Sequence, residues 1–158
     1  MSEKIHHYRT TLVWTGNTGS GTSDYTAYHR DYTLSADGKE DIAGSADPAF
    51  RGDGTRWNPE DLLIASLSAC HKLWYLHLCA VNNVVVTAYQ DDAEGELKED
   101  KQRGGFFTKA VLHPRVTITA HSDRDKAMSL HHKAHELCFI ANSVNFPVTV
   151  EATIDRES

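Results

Sequence analysis

Cysteine is scarce in this chain of 158 residues, and its three copies are an odd number. That leaves no disulfide framework and fits a reducing compartment, where a disulfide is more often transient and catalytic than structural. No apolar run of about 20 residues is legible, and Met1 leads into Ser2-Glu3-Lys4-Ile5-His6-His7, not a charged-then-apolar leader. The expectation is a soluble, cytoplasmic protein with no membrane partner. Basic residues are also short: 16 Lys and Arg stand against 22 Asp and Glu, a formal net charge of −6, which argues against nucleic acid or anionic lipid as a partner. There is no internal repeat, linker or low-complexity tract. The length fits one domain over residues 1–158, large enough to bury a real core.

What is present reads as an alternation of strands and two helices. Thr10 to Thr15 is β-branched and aromatic and runs into the turn formers Gly16 to Gly21, which predicts a hairpin. Tyr25 to Leu34 carries three tyrosines ahead of Asp37-Gly38, a turn signal from which Lys39 to Ile42 returns as a short strand. Gly44 to Trp57 has no periodicity and reads as an ordered loop or lid. A helix then announces itself: Asn58 caps, Pro59 occupies the first helical position, and Glu60 and Asp61 face the positive end of the dipole. Leu62 to Val81 is apolar on nearly all sides, which predicts a helix buried around most of its circumference, ended by Asn82-Asn83.

Val84 to Tyr89 follows as a strand, then polar Glu94 to Gly105, then a β-rich stretch from Phe106 to Ala120 interrupted by Pro114. Ser122 or Asp123 caps a second helix reaching about Ala141, and Phe146 to Ile154 closes as a strand. The order βββ, helix, ββ, helix, β predicts an α+β fold, with antiparallel strands around a helix too apolar to stand exposed. A partner chain would help cover it.

Two cysteines sit in the helix-like segments, Cys70 after Asn58-Pro59-Glu60 and Cys138 after His131-His132-Lys133-Ala134-His135-Glu136-Leu137. Asn-Pro-Glu at the head of a central helix, a cysteine ten residues beyond the glutamate, and a second cysteine near the end of a later helix resemble the OsmC/Ohr family of osmotically induced and organic-hydroperoxide-resistance proteins. Asp47-Pro48-Ala49-Phe50-Arg51-Gly52-Asp53 and Cys138-Phe139-Ile140-Ala141-Asn142-Ser143-Val144 resemble an OsmC-like subgroup of it. The resemblance spans Thr10 to Ile154. It implies antiparallel sheets wrapped around long central helices in an intertwined homodimer, and reduction of organic hydroperoxides by peroxidatic Cys70 and resolving Cys138. The reductant it implies is a dithiol, in Ohr-type members a lipoylated protein. It implies no cofactor or metal.

The chemistry sets conditions on that implication. The attacking species is a thiolate, and a free thiol with a pKa of ~8.5 is mostly protonated at neutral pH, so a cation must assist. Family members use an arginine steered by the glutamate. Arg51, in the loop before the helix, and Arg30, expected on an early strand, are the candidates, with Arg51 favoured and Arg56 a further loop charge. Glu60 and Cys70 lie about 15 Å apart along one straight helix, so Glu60 can serve a Cys70 only from a second subunit. Cys79 projects from nearly the opposite face about 13 Å beyond Cys70 and is expected to be core. Cys138 then remains as the intrachain partner, closing a disulfide on a Cys70 sulfenic acid. Trp74, Tyr75, Phe139 and Phe146 are expected in the core. His71, directly after Cys70, departs from the aromatic residue common there in Ohr and OsmC members.

Two other readings stay open. His131, His135 and Cys138 fall at i, i+4 and i+7 on one helix face, a usable set of zinc ligands, with His71 or Cys70 as a fourth. A dimeric scaffold that binds a small apolar ligand or a partner protein without turnover is the third class.

Overall fold

A computed structural model describes residues 3–158. The backbone gathers into two units, one reaching Leu62 and the other starting at Leu63.

In the first unit, strands β1 (Thr11–Trp14), β2 (Tyr32–Ser35) and β3 (Ile42–Gly44) form one antiparallel sheet in that order. Thr11 pairs with Ser35 and Trp14 with Tyr32. The hairpin predicted around Gly16 to Gly21 is not tight. The chain makes a long excursion and returns at His29, whose amide donates to the Gly16 carbonyl (2.9 Å), while the Trp14 indole donates to the His29 carbonyl (2.8 Å). Gly16 is required here, because a Cβ would stand 1.8 Å from the His29 carbonyl oxygen. Most of the tyrosine-rich stretch therefore belongs to the excursion, not to β2. The Asp37-Gly38 turn forms as expected, with Gly38 at φ 75°.

The segment from Gly44 to Trp57 is an ordered loop. The Asp47 carboxylate caps a 3-10 turn over Pro48–Phe50, and the Ser45 amide donates to the Trp57 carbonyl (2.8 Å). Arg56 donates from its guanidinium to the carbonyls of Gly44 (2.9 Å) and Tyr32 (2.8 Å), tying the loop to β2 and β3.

Helix α1 runs Pro59–Val81, with Asn58 accepting the Asp61 amide at 2.8 Å and Asn83 ending it at φ 61°. Its fully buried positions are Leu67, His71, Tyr75 and Cys79, a single stripe at every fourth residue. Burial around most of the circumference, the sequence expectation, is not what a single chain provides: Leu73 and Val81 are 62% and 63% exposed. By length and composition α1 is also apolar enough to cross a membrane, a run that His71, Lys72 and His77 break up in the sequence. Core helices of soluble proteins meet the same criterion.

The second unit contains β4 (Val86–Asp91), β5 (Glu94–Asp100), β6 (Gly104–Leu112), β7 (Pro114–Ile118), β8 (Val148–Val150) and β9 (Thr153–Arg156). They make two three-stranded sheets, β4-β7-β9 and β5-β6-β8, antiparallel except where β8 and β9 add in parallel to β6 and β7. Strand β5 was legible only as polar chain, since its side chains are almost all exposed and its pairing with β6 is a matter of backbone. The last segment is two short strands because Glu151 and Ala152 carry the chain from one sheet to the other.

Helix α2 spans Arg124–Leu137, capped by the Asp123 carboxylate, which accepts the Lys126 amide at 3.0 Å. It stops short of the predicted Ala141. Cys138 caps its C-terminus in an extended conformation, followed by a 3-10 turn over Ala141–Ser143. One core joins the Tyr75 and Cys79 stripe of α1 to Val116 and Ile118 of β7 and to Ala127, Leu130 and Ala134 of α2. Another joins Leu67 to Ala110, Leu112 and Val148.

Candidate functional site

Cys70 is half-buried in the middle of α1, and Cys138 is 1% exposed at the end of α2. Both are free thiols, and Cys70 lies close enough to Cys138 to act on its thiol. They are 68 positions apart in the chain, so their proximity comes from the core that α1 and α2 share and not from local sequence. Ending α2 at Leu137 matters here: the extended backbone at Cys138 lets the Ala141 amide donate to its sulfur at 3.5 Å. Burial pushes the Cys138 thiol up to about 11, and Cys70 beside it adds to that. Cys138 is thus a thiol that stays protonated next to a more accessible one.

The surround is aromatic. Trp74, one turn beyond Cys70, meets Phe139 edge-on with ring centroids 5.5 Å apart. Phe139 was expected in the core and is 63% exposed. It directly follows the helix cap at Cys138. Cys79 is buried against Tyr75, as expected.

The charged candidates lie in the first unit, and Arg30 stands in the excursion ahead of β2, not on a strand as expected. Arg30 donates to the carbonyls of Tyr28 (2.7 Å) and Tyr25 (2.8 Å), and its guanidinium lies 4.0 Å and 4.6 Å from the ring centroids of those residues. Arg51, in the left-handed region at φ 66°, reaches the Tyr25 ring at 5.7 Å. One tyrosine therefore gathers both arginines. Glu60 occupies the first turn of α1 near Tyr32, whose hydroxyl is raised above its ordinary value by burial and then by the Glu60 carboxylate. Among the described residues Glu60 makes no salt bridge. Arg56, by contrast, is held by two carbonyls and lies 3.9 Å from Asp31.

The histidines do not assemble as metal ligands. His131 Nδ1 is engaged by His71 Nε2 at 3.0 Å, and among the described residues no cluster of three His, Cys, Asp or Glu is set for a metal ion. The His71–His131 pair is the part of the site that sequence reading missed. Its signal was faint: His71 and Tyr75, and Ala127 and His131, each lie four residues apart, on stripes that turn out to face each other. Asp91 at the end of β4 was missed as well, though it accepts both the Ser68 hydroxyl and the His113 amide (2.7 Å) and so ties α1 to the sheet.

The OsmC-like protein family model matches residues 52–153. The organic hydroperoxide resistance protein OhrB of Bacillus subtilis is 32% identical over 84 residues, 53% of this chain, and the match spans only 59% of that relative's length. Among solved structures, an OsmC-like protein of unknown function from Vibrio cholerae superposes with a TM-score of 0.86 at 31% identity, covering 94% of this chain and all of that one. The Bacillus subtilis OhrB structure superposes with a TM-score of 0.63 at 20% identity, over 92% of this chain and 98% of that one, which is likeness of fold. With the Asn-Pro-Glu helix start and both cysteines inside the matched region, the chain belongs to the OsmC-like protein family.

Proposed function

We propose that this protein is a soluble, cytoplasmic thiol peroxidase that reduces organic hydroperoxides, the family-level role that a relative named for organic hydroperoxide resistance supports. The observation that carries the reading is the pairing of an accessible thiol with a buried, protonated one. In the first step the Cys70 thiolate attacks the outer peroxide oxygen. The O–O bond breaks, Cys70 becomes a sulfenic acid, and the alkoxide leaves as the alcohol after taking a proton. In the second step Cys138 attacks the Cys70 sulfur, and its proton leaves with the hydroxyl as water, forming the disulfide. A dithiol, in our reading a lipoylated protein, returns both thiols by exchange.

Glu60 and an arginine, Arg51 in preference to Arg30, are proposed to favour the Cys70 thiolate. Because Glu60 and Cys70 are about 15 Å apart on one helix, the proposal requires a homodimer in which each site draws on both chains. Half-buried Trp74 and exposed Phe139 suit an apolar peroxide tail better than hydrogen peroxide. The test is turnover of cumene hydroperoxide with a lipoyl dithiol. Cys70→Ser should abolish it, and Cys138→Ser should give one turnover and a sulfenic acid trapped by dimedone. Equal single-turnover activity in wild type and Cys70→Ser would remove the mechanism.

A further inference from the structure

A hydrogen bond between two imidazoles joins the two cysteine-bearing elements. His71 and His131 are 1% and 4% exposed, their rings nearly coplanar at 6°, with His71 Nε2 and His131 Nδ1 3.0 Å apart. Tyr75 lies flat on His131, centroids 3.7 Å apart at 10°, and its hydroxyl donates to the Ala127 carbonyl at 2.8 Å. The contacts form a ladder: Tyr75 with Ala127, then His71 with His131, four residues on along each helix in opposite senses, or about 6 Å per rung. Cys70 is adjacent to His71 in the chain, and Cys138 follows His131 at the C-terminal cap of α2.

Packing alone does not account for the imidazoles. A neutral pair uses one donor and one acceptor between the rings, and His71 Nδ1 and His131 Nε2 are left with no protein partner. An apolar pair of like volume would fill the space without two orphaned nitrogens. What the imidazoles add is register, since a polar contact in a buried core has one alignment that satisfies it and rings that slide do not. A disulfide is equally exacting, with Cβ atoms about 3.5–4.5 Å apart. A slip of one residue along α1 or α2 moves a side chain by about 1.5 Å and turns it by about 100°.

We infer that His71 and His131 are positioning residues which, through their mutual hydrogen bond, hold α2 in the register that lets Cys138 close a disulfide on Cys70. Burial keeps both rings neutral at the pH of thiol chemistry, the state the bond requires. The inference rests on the proposed function only in calling Cys138 the resolving thiol; the pairing itself can be measured without peroxide.

The experiment equilibrates the reduced protein with mixtures of reduced and oxidised glutathione, quenches with acid, and maps the Cys70–Cys138 disulfide by mass spectrometry. The equilibrium constant gives the effective concentration of one thiol at the other. His71→Leu and His131→Leu should each lower it about tenfold or more, because misplacement by about 1 Å is costly to a positioned pair. His131→Asn, which keeps an amide where Nδ1 sits, should stay within about threefold of wild type, whereas His131→Gln, which carries the amide to the Nε2 position, should behave as the leucine variants do. If a leucine variant fails to fold, the Asn and Gln comparison decides. Wild-type effective concentration in a folded leucine variant, or equal losses in His131→Asn and His131→Gln, would overturn the inference. A protein that shows these shifts but consumes no hydroperoxide would overturn the proposed function and leave the positioning role standing.

Discussion

At the scale of single residues, the two thiols differ in what surrounds them. Cys138 is buried with its thiol pushed up to about 11, so alkylation by iodoacetamide should be slow at neutral pH and rise about tenfold per pH unit up to about pH 10, following the thiolate fraction. Mass mapping of each cysteine against pH checks this; alkylation of Cys138 that saturates by neutral pH would contradict it. Glu60 offers two outcomes. If it steers an arginine toward Cys70, Glu60→Ala should slow oxidation by cumene hydroperoxide with little change in stability. If it only compensates the helix dipole, the loss should be about 0.3–1 kcal/mol of stability with thiol reactivity intact. Cys70, Glu60 and Asn58 were legible because their meaning is local: a cap, a first-turn acid and a fixed helical spacing. The contact of Cys70 with Cys138 could be stated only through the family resemblance. The bond from His71 to His131 left only a faint trace, because sixty positions and four strands from two different sheets lie between them in sequence.

Among the elements, α1 and α2 depend on the neutral state of that histidine pair. Burial lowers His71 to about 4 and His131 to about 3, against an ordinary 6.5 in the unfolded chain, with His135 adding to the effect on His71 and Asp91 opposing it. The folded state therefore binds fewer protons than the unfolded one between about pH 6.5 and pH 3–4, and stability should be full above 6.5 and fall as pH drops through that window. Denaturant midpoints measured across it should show a slope that flattens in His71→Gln/His131→Asn. His113 acts with the opposite sign: its hydrogen bond to Glu94 raises its pKa, so its smaller contribution is present at low pH and lost as pH rises. The loop that carries Arg51 is exacting in another way. A Cβ on Gly52 would stand 1.7 Å from the Ala46 carbonyl oxygen, so Gly52→Ala should lower Tm and peroxidase rate together, measured by thermal unfolding and steady-state turnover. Elements with amphipathic or capped sequences, such as α1, were read to within a residue. Strand β5 was not, since its exposed side chains carry no alternation, and α2 was read too long because the apolar Phe139-Ile140-Ala141 continues the pattern after the backbone has left the helix.

For the whole molecule, the apolar side chains exposed in each unit, among them Leu12, Val13 and Trp57 in the first and Leu73 and Val81 in the second, predict burial against a second copy. The protein should sediment as a dimer at micromolar concentration, with Tm rising with protein concentration, and a stable folded monomer would contradict this. Mixing Glu60→Ala with Cys70→Ser subunits then asks whether each site is shared: roughly half-restored activity per heterodimer is expected, since one of its two sites escapes both lesions only when Glu60 and Cys70 come from different chains. The sequence showed that α1 was too apolar to stand alone but not what covers it, because hydropathy records the need for burial and not its partner. The central claim, that Cys70 and Cys138 form one redox unit, is tested most directly by anaerobic titration of the reduced protein with cumene hydroperoxide while free thiols are counted. One equivalent per chain should remove two thiols and leave a Cys70–Cys138 disulfide on peptide mapping, with Cys79 still reduced. Thiols that persist through several equivalents, or that become countable only after chelation of zinc, would contradict it.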